Sequence, residues 1–278
     1  MDYLVPDDVA TAVRMKAGAA TVLAGGTDVY PSHVGRMIAG PVLDVSNLSE
    51  LRGFTRTPDH HLIGALTRWA DVAAAGLPAG FDGLRAAARE VGSVQVQQAG
   101  TVGGNLCNAS PAADGIPPLL ALDASVELTS PAGVRVLGLE EFLTGYRETA
   151  LRTDELLTAV LVPRRLEASR SVFLKLGLRR YLVISIVMVA AAVCAGPDGR
   201  VAEARIAVGA CSPVARRLLA LEADLAGRSM DEDLGAVATH EHLSALSPID
   251  DVRATAAYRR EAALRLVRRA LTRCSGPR

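Results

Sequence analysis

Two glycine-containing segments carry the residues of this sequence that are best suited to ligand chemistry. They are Ala24-Gly25-Gly26-Thr27-Asp28 and Gly100-Thr101-Val102-Gly103-Gly104-Asn105. Glycine lets a backbone approach a ligand closely, and successive exposed N–H groups form a nest that holds phosphate oxygens. Either segment alone would also suit an ordinary turn. Together, with threonine hydroxyls and without the lysine of a P-loop, they predict a dinucleotide held largely by backbone amides.

Short polar side chains follow the second segment closely, at Asn108, Ser110 and Asp114. Asp114 could cap a helix near Pro117–Leu122, or its carboxylate could accept hydrogen bonds from ribose hydroxyls or a flavin ring. It would not hold phosphate, because like charges repel. Lys175 lies in a strand pattern, where it is either a solvated lysine or a cation that neutralises phosphate or favours electron density on a flavin.

Other catalytic patterns are missing from the sequence. GxGxxG, GxxxxGK[ST] and GxSxG do not occur, and no residue set resembles a bond-making acid, base or nucleophile. His240-Glu241-His242 lacks both the HExxH pattern and the Pro-Cys-x-x-Cys partner of zinc deaminases, so we interpret it as a surface helix and predict no metal site. A chain of this kind can still be redox-active, since a bound cofactor carries the chemistry.

Composition limits the classes of partner. The 278 residues include 30 Lys+Arg and 30 Asp+Glu, so the formal net charge is zero and nucleic-acid binding is not expected. Zero net charge is compatible with a subunit of a larger complex. The 4 cysteines form no CxxC pair, which fits a reducing compartment. No signal peptide is evident and the apolar run Leu182–Ala195 is too short for a membrane span, so we expect a cytoplasmic location without a span.

The order of predicted elements indicates an α+β protein in two parts. A strand at Thr21–Leu23, a helix over Val29–Ala39 and a strand at Pro41–Val45 suggest a βαβ unit. After Pro163 the pattern changes to strands and then helices. The predicted strands are Ser171–Leu178, Val183–Cys194 and Val201–Ala210, and the predicted helices are Val214–Ala226 and Arg253–Cys274. We therefore predict domains over residues 1–165 and 170–275, the second with a three-stranded antiparallel sheet and helices.

An ordered series of segments resembles the FAD-binding medium subunit of the molybdenum hydroxylases, the xanthine dehydrogenase and aerobic carbon monoxide dehydrogenase family. Besides the two glycine segments, it comprises Ile63-Gly64-Ala65-Leu66-Thr67, Ser110-Pro111-Ala112-Ala113-Asp114, Leu119-Leu120-Ala121-Leu122-Asp123-Ala124, Glu155-Leu156-Leu157, Lys175-Leu176-Gly177-Leu178-Arg179-Arg180 and Tyr258-Arg259. One departure is visible: many relatives have arginine in a Gln-Ile-Arg-Asn segment where this chain has Gln97.

The resemblance implies a fold and a set of FAD contacts. The fold would be an FAD-binding domain of two α/β subdomains, of the vanillyl-alcohol oxidase type, followed by a C-terminal domain of the carbon monoxide dehydrogenase flavoprotein type. The glycine segments would wrap the FAD pyrophosphate, Asp114 and Lys175 would lie near the cofactor, and Leu157 would contact the ring. The implied cofactor-binding residues are Ala24, Gly25, Gly26, Thr27, Asp28, Thr101, Val102, Gly103, Gly104, Asn105, Asn108, Ser110, Asp114, Leu157 and Lys175.

The resemblance also implies a role in electron transfer. The chain would be the FAD-carrying subunit of an oxidoreductase that works with a large molybdopterin subunit and a small [2Fe–2S] subunit, as a dimer of heterotrimers. Electrons would pass from the iron–sulfur clusters to FAD and leave to an external acceptor. Two alternatives stay open: an assembly or maturation protein of the same fold that binds little flavin, and a stand-alone flavin oxidase of the vanillyl-alcohol type.

Overall fold

The computed structural model describes residues 2–16, 20–180 and 182–276. Its strands are β1 Tyr3–Leu4, β2 Thr21–Leu23, β3 Val42–Asp44, β4 Phe54–Arg56, β5 His60–Gly64, β6 Ser125–Ser130, β7 Gly133–Gly138, β8 Leu143–Gly145, β9 Glu148–Thr149, β10 Leu156–Pro163, β11 Arg170–Leu176, β12 Val187–Ala195, β13 Val201–Gly209 and β14 Arg216–Arg217. Its α-helices are α1 Val9–Met15, α2 Val29–Ser32, α3 Trp69–Ala74, α4 Asp82–Glu90, α5 Val94–Ala99, α6 Val102–Asn108, α7 Ile116–Ala121, α8 Leu139–Phe142, α9 Leu219–Leu225 and α10 Ala256–Cys274.

A small parallel sheet opens the chain. Its central strand β3 pairs in parallel with β1 on one side and β2 on the other. The order β2–α2–β3 agrees with the βαβ unit that the sequence predicts. The helix predicted over Val29–Ala39 is wrong in extent, because α2 ends at Ser32. Gly35 and Gly40 both take positive φ, a conformation that an α-helix does not contain.

A second sheet holds the main core of the N-terminal half. It has five strands in the order β4-β5-β10-β6-β7, and the pairs within it are antiparallel. The central strand β10 is an almost continuous apolar run because helices and neighbouring strands cover it. Against this sheet pack Trp69, Phe81, Leu84 and Leu106, each at most 1% exposed. The core therefore ties helices α3, α4 and α6 to the sheet.

The C-terminal sheet has four antiparallel strands in the order β11-β12-β13-β14, so the predicted three-stranded sheet is wrong. The fourth strand, β14, lies where the sequence predicts the start of a helix over Val214–Ala226. Arg216 and Arg217 pair with β13 instead, and Arg217 forms an ion pair with Glu222, so the helix α9 begins only at Leu219. Tertiary pairing has overridden the local helical pattern.

Strand β12 is buried on both faces. Val187, Val189 and Val193 point toward a core that includes residues of α10, whereas Met188 and Ala190 point toward α4 and α7 of the N-terminal half. Small side chains on that second face let the helices approach closely. The C-terminal sheet is thus a layer between α10 and the helices of the N-terminal half. Within the described residues, no helix combines the length and apolar character needed to cross a membrane.

The substitution Ala190→Leu should destabilise the protein by about 1–3 kcal/mol, because added methylenes in a close-packed core force backbone or rotamer shifts. Ala190 is 1% exposed between the sheet and the helices. Urea unfolding measures the change. Ala195→Leu, on the exposed end of the same strand, is the matched control and should stay within about 0.5 kcal/mol of wild type. Equal effects of the two substitutions would contradict the described packing.

Candidate cofactor site

A cavity of about 430 Å³ lies between the parallel sheet and the five-stranded sheet. That volume is in the range of small-molecule and cofactor pockets, which are about 300–1,000 Å³. Both glycine segments contribute to its walls. Among the residues predicted to bind a cofactor, the lining includes Ala24, Gly25, Gly26, Thr27, Asp28, Thr101, Gly103, Gly104, Asn105, Asn108 and Leu157.

The first glycine segment is a turn with unused donors. Gly26 takes φ 69°, and its carbonyl accepts the Tyr30 N–H at 3.0 Å. The N–H groups of Gly25, Gly26, Thr27 and Asp28 make no hydrogen bond to any described part of the chain. Unpaired donors on a cavity wall are ready for an anionic ligand. These free donors are what an amide nest requires, and binding of phosphate by them stays a prediction.

The second glycine segment is not a loop: it is the start of helix α6. The Thr101 hydroxyl accepts the Gly104 N–H at 3.1 Å and so caps the helix. The N–H groups of Val102 and Gly103 donate to the carbonyls of Thr67 and Ala65 at 2.9 and 2.8 Å. These amides are already paired within the chain. Gly103 and Gly104 therefore provide space rather than free donors.

The two segments touch each other, and Gly25 makes that contact possible. A Cβ at Gly25 would lie 1.9 Å from the Ala99 carbonyl oxygen, far inside contact distance. Similarly, a Cβ at Gly103 would lie 2.8 Å from the Ala65 carbonyl oxygen. Glycine at these two positions serves the approach of backbone to backbone. Gly104 differs, since it is exposed and its Cβ would meet only the Thr101 hydroxyl, at 2.9 Å.

Two further observations suit a ligand that has both polar and ring-shaped parts. The Asn105 side-chain oxygen is buried and has no hydrogen-bond partner among the described residues. A buried amide oxygen without a partner costs about 1–3 kcal/mol, so a missing ligand donor would explain it. Trp69 and Leu157 add apolar surface to the lining. The cavity thus combines unpaired polar groups with an apolar wall, as cofactor sites do.

Asp114 and Lys175 meet in a buried ion pair that does not line the cavity. The Lys175 Nζ lies 2.7 Å from the Asp114 Oδ2, and both side chains are 7% exposed. The Ser185 hydroxyl donates to Asp114 at 3.0 Å, and Lys175 also donates to the Glu90 carbonyl at 3.2 Å. Burial raises the pKa of Asp114 to about 6, while the Lys175 ammonium opposes the shift. The pair joins the N-terminal half to strand β11.

The structure separates a few of the predicted residues from the cavity. Helix α7 is capped by Gly115, so Asp114 is not the cap of that helix. The Ser110 hydroxyl accepts the Ala112 N–H at 3.3 Å, and Val102 is fully buried. Four of the predicted residues are thus absent from the cavity lining: Val102, Ser110, Asp114 and Lys175. Gln97, at the position of the family arginine, donates its side-chain amide to the Arg89 carbonyl at 3.0 Å.

Sequence reasoning missed two residues of this region. Trp69 lines the cavity, and its place two residues after the Ile63–Thr67 segment, as the one tryptophan of the sequence, was a usable signal. Arg147 contacts Asn108 and Asp28, which are 39 and 119 residues away along the chain. No local pattern could have connected it with them.

The histidines of the C-terminal half form separate contacts. His240 lies 3.4 Å from Glu261 and His242 lies 3.0 Å from Asp224. Over residues 2–16, 20–180 and 182–276, no group of three or more His, Cys, Asp or Glu side chains is placed to hold a metal ion.

The sequence matches two family profiles in order. Residues 1–165 match the FAD binding domain in molybdopterin dehydrogenase, and residues 173–274 match the CO dehydrogenase flavoprotein C-terminal domain. The cavity and these matches define a flavoprotein. The chain belongs to the family of FAD-binding medium subunits of molybdenum hydroxylases. Its cofactor is FAD, and it is a component of an oxidoreductase.

Relatives with known names cover most of the chain. The xanthine dehydrogenase FAD-binding subunit of Escherichia coli is 36% identical over 202 residues, 70% of this chain and 68% of that protein. The carbon monoxide dehydrogenase medium chain of Afipia carboxidovorans is 31% identical over 98% of this chain and 96% of its own length. A solved carbon monoxide dehydrogenase structure from Hydrogenophaga pseudoflava superposes with a TM-score of 0.89 at 27% identity, covering 99% of this chain and 98% of that chain.

Gly104→Leu should abolish FAD binding while leaving the fold intact. Gly104 is exposed on the cavity wall, so the added side chain would occupy cavity space; its Cβ would meet no backbone and would displace only the Thr101 hydroxyl, which lies 2.9 Å away. Flavin content after purification and the melting temperature of the apoprotein measure the two effects. Gly76→Leu is the matched control, because a Cβ at Gly76 meets nothing within 4 Å and the residue lies outside this cavity. Full FAD retention by Gly104→Leu would contradict the assignment of this wall.

Asp114→Asn should remove part of the pH dependence of stability. The folded pKa of about 6 exceeds the ordinary value of 3.8, so the folded protein binds this proton more tightly. Stability from Asp114 is therefore present below about pH 4 and lost as the pH rises through 6. Over that range wild type should lose on the order of 3 kcal/mol relative to Asp114→Asn. Urea unfolding of apoprotein at several pH values measures the difference. The same substitution at exposed Asp231 should change nothing, and a pH-independent difference for Asp114→Asn would contradict the raised pKa.

Proposed function

We propose that this chain is the electron-exit subunit of a three-component molybdenum hydroxylase. In the proposed scheme a large subunit oxidises the substrate at a molybdopterin centre, and a small subunit carries electrons through [2Fe–2S] clusters. This chain receives them on FAD and passes them to an external acceptor. FAD suits a place between one-electron iron–sulfur clusters and an external acceptor, because it can take up two electrons one at a time. The proposed assembly is a dimer of heterotrimers in the cytoplasm.

The observation that carries the proposal is a cavity whose two walls are the two glycine segments. One wall, at Gly25–Asp28, offers backbone donors that the described chain does not use. The other, at Gly103–Asn105, offers space and a buried amide oxygen without a partner. We assign the first wall to the FAD pyrophosphate, and we assign Asn105 to a hydrogen bond with the cofactor.

The remaining predicted residues have supporting roles in this proposal. Leu157 and Trp69 provide apolar contact to a cofactor ring. Asp114 and Lys175 act next to the cofactor rather than on the cavity wall, because Lys175 holds the Glu90 carbonyl and the adjacent Val91 lines the cavity. Asn108 supports the C-terminal end of helix α6. Val102, the first residue of that helix, and Ser110, just after its end, hold the backbone at its two ends.

The names of relatives support the proposed partners. One relative is a subunit of the 6-hydroxypseudooxynicotine dehydrogenase complex of Paenarthrobacter nicotinovorans, 30% identical over 98% of this chain. The carbon monoxide dehydrogenase medium chain is named as one chain among others of its enzyme. The division into domains of residues 1–165 and 170–275 is likewise our proposal, and we place the boundary at the short segment before β11. A flavin-poor assembly protein of the same fold is less well supported, because it would have no use for the unpaired donors of Gly25–Asp28.

An absorption spectrum of the purified protein tests the proposal. We expect a two-band flavin spectrum that dithionite bleaches, with FAD released in an amount equal to that of the chain. Iron and molybdenum should co-purify when partner subunits are expressed together with it, and substrate should then bleach the flavin bands. A colourless chain that refuses added FAD, even beside its partners, would contradict the proposal and favour the assembly protein.

A further inference from the structure

Arg147 lies in the hairpin of β8 and β9, at the rim of the cofactor cavity: it is not one of the lining residues, but it contacts two of them. Its Nη1 donates to the Asn108 Oδ1 at 2.6 Å and to the Asp28 Oδ2 at 3.4 Å. Asp28 and Asn108 both line the cavity, one at the end of the first glycine segment and one at the end of helix α6. The guanidinium therefore bridges the first glycine segment and the C-terminal end of helix α6, which begins with the second.

The backbone holds this side chain in place. Arg147 takes φ 54°, in the left-handed region that few non-glycine residues adopt. Its N–H donates at 3.2 Å to the carbonyl of Ala109, the residue that ends helix α6 with φ 44°. This hydrogen bond joins two left-handed positions and fixes the hairpin tip against the helix end. Conformations of this kind persist where the surrounding structure requires them, and they cluster at ligand sites.

Arg147 adds positive charge beside Asp28 at the rim of the cavity, whose lining also includes Lys16. The Asp28 carboxylate adjoins the unpaired amides of the first glycine segment, and alone it would repel a phosphate. Arg147 offsets that charge. A guanidinium has five N–H donors in a planar fork that matches phosphate oxygens. Within the described residues only Nη1 is engaged, so the Nε and Nη2 donors stay free for a ligand.

We propose that Arg147 binds the pyrophosphate of FAD through these free donors, with Asp28 and Asn108 as the positioning residues that aim it. The inference rests on the proposed assignment of this cavity to FAD. It supplies the phosphate-binding cation that neither glycine segment contains, because neither includes a lysine or an arginine. Side-chain exposure of 45% leaves the guanidinium accessible from solvent.

Titration of cofactor-depleted protein with FAD and with riboflavin, followed by flavin fluorescence, tests the inference. Asn tolerates the left-handed region, so Arg147→Asn removes the charge with little backbone strain. We expect about 10–100-fold weaker FAD binding, the loss typical of a hydrogen bond to a charged group, and a weaker dependence on salt. Riboflavin, which has no phosphate, should bind as it does to wild type, and Arg147→Lys should restore part of the FAD affinity.

The controls separate a phosphate contact from a purely structural role. Arg265→Asn on α10 removes the same charge at a side chain that is 78% exposed, and it should change neither affinity. Equal weakening of FAD and riboflavin by Arg147→Asn would overturn the inference, since the residue would then only shape the rim. Recovery of FAD affinity in Asp28→Asn/Arg147→Asn would also overturn it, because Arg147 would then serve only to offset Asp28. Wild-type protein that binds no FAD would instead refute the proposed function.

Discussion

The contact between the backbone at Gly25 and the carbonyl of Ala99 is the constraint on which the cavity depends. No side chain fits there, since a Cβ would lie 1.9 Å from that oxygen. This contact holds the turn after β2 against the end of helix α5 and the start of the second glycine segment. The unpaired amides of the first segment then face the start of helix α6 across the cavity. A bulkier residue at Gly25 would separate the walls before any ligand could bind.

The turn of the first glycine segment could be predicted from the sequence, whereas the helix at the second could not. Gly25–Asp28 form a turn with unpaired N–H groups, as the sequence predicts, because a turn between β2 and α2 depends on local chemistry. Gly103 and Gly104 are of the type that suits free backbone amides, yet Thr101 caps a helix there and the carbonyls of Ala65 and Thr67 pair with its first amides. Those acceptors come from a segment more than thirty residues earlier in the chain. Because glycine has a low helix propensity, the local sequence indicates neither the start of a helix nor these distant acceptors.

The same limit explains the errors in the C-terminal half and at the cavity rim. Arg216 and Arg217 look helical alone, and only the edge of β13 makes them a strand. For Asp114 the helix-cap alternative is wrong, since Gly115 caps α7, while the cofactor contact stays a prediction; its partners within the chain, Lys175 and Ser185, have no signal in the sequence. Such pairs depend on which distant elements pack together. Sequence patterns predicted the kinds of residue at the site well and their partners poorly, since partners are decided by tertiary contacts.

The two-faced burial of strand β12 has a consequence for how the subunit moves. Helices α4 and α7, which belong to the N-terminal half, rest on its Met188 and Ala190 face, while α10 covers the other face. Rotating one half against the other would expose that apolar seam to water, so hinge motion is a costly way to change the cavity. In the proposed complex, the distance between FAD and a redox centre of a docked partner would then be set by how the partner docks. Electron flow would be controlled through affinity for that partner and through redox potential, and the chain itself would keep the distance fixed.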